Sequence, residues 1–141
     1  METTSSNTEP DQQGQSIARP AAALPACLLG WLVPGGGHAW LGARQRGAFF
    51  FLALSGLFVL GLSMDARLAL HAGLDDPLAL VIGVGQMAIG LPYLLARALG
   101  FAAGDIRSAT FDYGIAFTST AGLLNVLVVL DVVDIALGRK T

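Results

Sequence analysis

Polar and apolar positions in this 141-residue chain separate into long blocks, with neither the alternation of a strand nor the one-sided stripe of a soluble helix. Residues 47–64, 77–96 and 113–130 each run for 18 to 20 positions without a charged side chain. A helix rises about 1.5 Å per residue, so about 20 apolar residues match a hydrocarbon layer about 30 Å thick. The pattern predicts an all-α integral membrane bundle of three to four transmembrane helices, with segments near 20–41, 47–64, 77–97 and 113–137. Residues 1–19 are polar, with too little apolar surface to offset ordering entropy, and read as a disordered tail.

The first apolar segment, 21–33, is the ambiguous one. Its 13 residues reach only about 20 Å as a helix, and Pro34, Gly35, Gly36 and Gly37 break it. If the helical path continues through His38 to Leu41, the missing length is supplied and four spans result, the favoured count; if the segment only dips in, there are three. Irregular backbone is not tolerated facing lipid, so the break belongs at the interface or against other helices. Trp31 and Trp40 fit interfacial anchoring. The third segment opens at Pro77, where a missing N–H costs nothing, and Pro92 is expected to kink its end.

Two sets of small residues predict helix packing. Gly83, Gln86 and Gly90, at spacings of three and four, would share one helical face on which the amide bonds a neighbour. Gly114, Thr118 and Gly122 recur every four residues, the pattern that lets two membrane helices approach closely.

Composition narrows the class further. Charged residues make up 13% and hydrophobic ones 54%, and the formal net charge of -2 leaves no basic footprint for nucleic acid. The single Cys27 forms no intramolecular disulfide and reads as a small apolar packer. Leu24-Pro25-Ala26-Cys27 imitates a lipoprotein cleavage box, but only Ala21 to Leu24 precede it as an apolar stretch. Basic residues in short loops set orientation. The loops of Arg44 and Arg46 and of Arg97 and Arg107 are expected on the cytoplasmic side, with the loop 65–76, one Arg and three Asp, facing outward.

Candidate chemistry is sparse. His38 follows the glycine turn, which resembles an anion cradle but lacks the Lys and Ser or Thr of a phosphate loop; the plainer expectation is an imidazole that bonds backbone exposed by the break. The other histidine, His71, lies across the next span, so no shared metal site is expected. Asp131 and Asp134 share a helix face and read as interfacial carboxylates, as a proton or cation site, or as partners for an Arg on a neighbouring helix, while Asn125 sits about half a turn away from Asp134. No Ser-His-Asp grouping, metal-ligand cluster or dinucleotide fingerprint is present, so neither an enzyme nor a cofactor is expected.

The run Leu32-Val33-Pro34-Gly35-Gly36-Gly37-His38-Ala39-Trp40-Leu41-Gly42, with Arg44 and Arg46 after it, resembles small uncharacterised bacterial multi-pass membrane proteins carrying a P-G-x-G-H-x-[YW]-L-G signature. It is also distantly similar to the two-transmembrane-helix domain, although Trp40 replaces its usual Tyr and Ala43 stands before the Arg. The resemblance implies a multi-pass protein of the bacterial inner membrane and no known catalytic residue. Pro34, Gly35, Gly37, His38, Gly42, Asn125, Asp131 and Asp134 enter as motif positions of unknown role. The expected function is a structural or protein-interaction component of the bacterial cytoplasmic membrane, in contact with the lipid bilayer and with itself or a membrane protein partner. The alternative is a transporter or proton-coupled subunit using Asp131, Asp134 and Gln86.

Overall fold

A computed structural model describes residues 20–68 and 76–139. The tail expected over 1–19, the loop residues His71 and Asp75, and Lys140 lie outside them. The described residues form six helices: α1 (Pro20–Leu32), α2 (Gly36–Trp40), α3 (Arg44–Ser63), α4 (Pro77–Met87), α5 (Leu91–Ala98) and α6 (Phe111–Ala136). Two of these, α3 and α6, are each long and apolar enough to cross a membrane; α4 and α5 reach that length only together.

The long helices run antiparallel and pack through glycine. A Cβ added to Gly61, near the end of α3, would lie 2.8 Å from the carbonyl oxygen of Gly114, near the start of α6, and one added to Gly114 would lie 2.8 Å from that of Gly61. At the other end, α3 begins beside α2, where Gly47 faces Gly35 and Ala39. The small-residue face Gly114, Thr118 and Gly122 is therefore used inside the chain. Gly122 meets the backbone of Gly85 on α4 so closely that any side chain would fall on that carbonyl oxygen.

Around this pair, the shorter helices form two hairpins entering from opposite ends. α1 runs antiparallel to α6, with Gly30 against Val129 and the Trp31 carbonyl at Asn125. The chain then turns at Gly35, whose φ of 77 suits glycine, and α2 returns along α1 with Gly37 against Ala26 and Val132. This corrects the expectation that residues 36–41 lengthen the first span: they fold back beside it.

On the other side α4 starts with Pro77 in its first turn, where the Asp76 carboxylate accepts from the N–H of Leu78 (2.9 Å) and Ala79 (3.3 Å). It rises parallel to α6 and ends at Ala88. Gly90, at φ 77, then redirects the chain by 97° into α5. The bend falls before Pro92 and not at it, because Pro92 occupies the first turn of the new helix. Gly90 is thus outside α4 and does not share a face with Gly83 and Gln86. Its Cα packs on Trp31 and Leu32, so the two hairpin tips touch.

After α5 the chain is back where α3 ended. The Leu68 N–H donates to the Ala102 carbonyl at 3.2 Å, Arg67 and Ala103 form an isolated β-bridge, and the Thr110 hydroxyl donates to the Met64 carbonyl. The loop of Arg97 and Arg107 therefore lies at the end of the bundle that holds Asp65 and Arg67, opposite Arg44 and Arg46. The two arginine loops thus lie at opposite ends of the bundle and not together as expected, since residues 77–98 start and finish at the same end. The main apolar core gathers between the hairpins and the long helices, around Leu54, Phe58, Ile89, Tyr93, Ala121 and Val128.

Gly122→Val should lower stability in detergent by about 1–3 kcal/mol or more, because backbone on α4 leaves no room for overpacking to relax. Gly56→Ala, at a helical glycine with nothing within 4 Å, should be neutral or stabilising. Unfolding titrations of the two variants against wild type check this; equal stability would contradict the packing.

Candidate functional site

Polar side chains buried in the bundle occur at three levels along α6. Each binds a different place where a neighbouring chain segment breaks or turns.

At the first level Gln86, fully buried on α4, donates from its amide nitrogen to the Thr118 hydroxyl (2.9 Å) and to the Arg67 carbonyl (3.1 Å). Thr118 can donate back along its own helix to the Gly114 carbonyl at 3.0 Å. The amide joins α4, α6 and the segment following α3, a role in packing that Gln86 plays without its expected neighbour Gly90. Gly83 is buried on the same helix.

The second level is Asn125, fully buried near the middle of α6. Its amide nitrogen donates to the Ala88 carbonyl at 3.0 Å and to the Trp31 carbonyl at 3.4 Å. The reason lies in the sequence. In an uninterrupted helix Ala88 would accept from the N–H four residues on, but that residue is Pro92, which has none. Likewise Gly30 is followed four residues later by Pro34, so the end of α1 also loses its ladder. One side chain thus serves the carbonyl freed by Pro92 and, at the end of α1, the Trp31 carbonyl next to the one that Pro34 leaves without its N–H. The Asn125 carbonyl oxygen is buried without a partner among the described residues.

The third level pairs His38 with Asp131. The glycine turn places α2 against α1 and α6 closely enough that the imidazole is fully buried, its Nε2 3.0 Å from an Asp131 oxygen. Its ring also lies against Phe50, centroids 5.1 Å apart. An ionised carboxylate only accepts, so against it Nε2–H is the donor of this bond. Nδ1 is buried and has no partner among the described residues. The Asp131 side chain is 31% exposed, so the pair joins a buried base to a carboxylate that reaches solvent. Asp134, on the same face, is partly exposed and sits 3.7 Å from the exposed Arg139, an ion pair worth at most about 1 kcal/mol.

The motif positions Pro34, Gly35, Gly37 and His38 come together with Asp131 here, whereas Gly42 lies in an exposed turn where an added Cβ would meet nothing within 4 Å. The glycine run is packed on Gly47 and Leu29 and offers no open anion cradle. Among the described residues no group of three His, Cys, Asp or Glu could hold a metal ion. Sequence reasoning missed the His38–Asp131 bond, made across 93 positions. The available signal was one titratable side chain at the same end of each of two apolar segments.

Asn125→Leu should destabilise by about 2–3 kcal/mol, since it strands the buried Ala88 carbonyl and removes a bond to the Trp31 carbonyl, while Asp131→Asn, whose oxygen still accepts from Nε2–H, should cost about 1 kcal/mol or less. Denaturant unfolding in detergent ranks them; an order reversed from this would contradict the assignments.

A family of unknown function, DUF6677, matches residues 25–141, which includes all three levels. The chain matches no curated protein and no solved structure.

Proposed function

The chain belongs to the DUF6677 family of unknown function, and we propose that it is a multi-pass protein of the bacterial cytoplasmic membrane with a structural or protein-interaction role and no catalysis of its own. In this reading α3 and α6 cross the bilayer, and the hairpins α1–α2 and α4–α5 each enter from one face and return to it. The exposed surfaces of the long helices support it. Phe49, Leu52 and Val59 on α3, and Leu123, Leu127 and Leu130 on α6, are exposed and would face lipid.

The observation that carries the reading is how the buried polar groups are spent. Gln86, Asn125 and His38 are each bonded to a helix end, a turn or a neighbouring helix, at separate levels. Thr118 and Asp131, the contacts of Gln86 and His38, are 13 residues apart on α6, about 20 Å. Beyond Ser119 and Thr120, which adjoin Thr118, the interval is apolar apart from Asn125, so the three groups hold helices together and form no continuous file. That weighs against the transporter reading, which needs Gln86, Asp131 and Asp134 to work in one pathway.

Charge supports an orientation. Arg44, Arg46 and Arg139 share one end of the bundle, and Arg19 and Lys140 adjoin that end in sequence; Arg67, Arg97 and Arg107 are at the other. The richer end faces the cytoplasm under the positive-inside rule. For a partner helix the place of closest approach is Gly56, a helical glycine on the outer face of α3 with open space around it.

Purified protein in liposomes should give no proton or cation flux above protein-free vesicles, and mild-detergent extracts should yield a specific oligomer or complex weakened by Gly56→Leu. Flux that falls with Asp131→Asn would overturn the structural role in favour of proton coupling.

A further inference from the structure

Two concavities flank the last turn of α5. On one side an apolar groove of about 530 Å³ runs between α3 and α5. Its shallow end is formed by Leu62, Leu99 and Phe101, near the bundle end that holds Asp65, and its deep end by Pro34 and Leu91 at the touching hairpin tips. On the other side a cavity of about 760 Å³ is lined by Arg67 and Arg97 together with Ile82, Phe111 and Ile115. Residues 95–102 form the ridge between them: Leu99 and Phe101 line the groove, and Arg97, Gly100 and Ala102 the cavity.

Charge sets the two apart. Among the described residues no acidic side chain lines the arginine cavity, and neither Arg67 nor Arg97 forms an ion pair with any of them. Arg97 is held in place instead, donating to the Leu68 carbonyl at 3.4 Å with its guanidinium 5.9 Å from the centroid of the Tyr93 ring. A held, partly buried guanidinium that lines the same cavity as a second, exposed arginine is suited to a phosphate. The groove has the complementary property of depth. It ends halfway along the bundle, against the tip of the first hairpin, so a helix crossing the whole bilayer would not fit, whereas the tail of a lipid from one leaflet would.

We propose that this end of the bundle binds an anionic phospholipid, its phosphate between Arg67 and Arg97 and one acyl chain over Leu99 into the groove between α3 and α5. The lipid joins α5, which has few other neighbours, to α3 and to the start of α6. The site is independent of the His38–Asp131 pair at the opposite end and of any protein partner.

The test uses the full chain in nanodiscs and in mild detergent, with retained lipid read by native mass spectrometry. From an equimolar mixture the wild type should retain phosphatidylglycerol over phosphatidylcholine by roughly tenfold, the scale expected of two arginines at headgroup depth. Arg67→Gln with Arg97→Gln should abolish the preference. Leu99→Trp, which fills the groove and leaves both arginines, should lower retention of phosphatidylglycerol. Equal retention of the two lipids by the wild type would overturn the proposal without recourse to any variant. Displacement of the lipid by millimolar inorganic phosphate would equally overturn it, by assigning the arginines to a free anion.

Discussion

A backbone carbonyl that loses its helical partner in an apolar interior has no water to turn to, and this chain has two places where a proline removes that partner. Pro92 has no N–H for Ala88, and Pro34 has none for Gly30. Both interrupted helices end beside Asn125, which donates to the Ala88 and Trp31 carbonyls. The other two polar levels follow the same logic at the two ends of the bundle: Gln86 binds the chain leaving α3, and Asp131 fixes the turn that follows α1. The interior polar groups thus sit where neighbouring segments break, turn or end, and their positions along α6 record those places.

Glycine makes those positions reachable. Gly122 brings α4 onto α6 closely enough for Asn125 to meet Ala88, and Gly37 does the same for α2, so that His38 meets Asp131. Without a hydrophobic driving force between helices in lipid, such close backbone approach and a few buried hydrogen bonds carry the packing. The result has a repeated plan of opposite sense. A hairpin and a long helix, α1–α2 then α3, are followed by a hairpin and a long helix entering from the other end, α4–α5 then α6. Inverted arrangements of this kind recur in membrane proteins with interrupted helices meeting at mid-depth; here the meeting point is filled by one amide and apolar side chains.

Much of this was legible in the chain. The apolar blocks locate α3 and α6, Pro77 locates the start of α4, and Gly114, Thr118 and Gly122 mark a packing face. Hydropathy could not tell a helix that crosses from one that turns back, because 77–96 has the length and composition of a span, and the turn at Gly90 depends on its fit against Trp31 and Leu32 in another part of the chain. For that reason the loop of Arg97 and Arg107, expected beside Arg44 and Arg46, lies at the opposite end of the bundle. Gln86 was identifiable as packing glue but not its partners, and the His38–Asp131 bond joins residues too distant for any local pattern to link. The proline arithmetic was available: counting four back from Pro92 gives Ala88, the carbonyl that some other side chain had to serve.

The central claim is that residues 77–98 enter and leave at one face while α3 crosses. Single cysteines at positions 45, 76 and 105, in a Cys27→Ser background, report this directly through labelling of oriented vesicles by a membrane-impermeant thiol reagent. Positions 76 and 105 should label from one side and position 45 from the other. Labelling of 45 and 105 from the same side would mean that α4 and α5 together cross the membrane, and the account of two opposed hairpins meeting at Asn125 would be wrong.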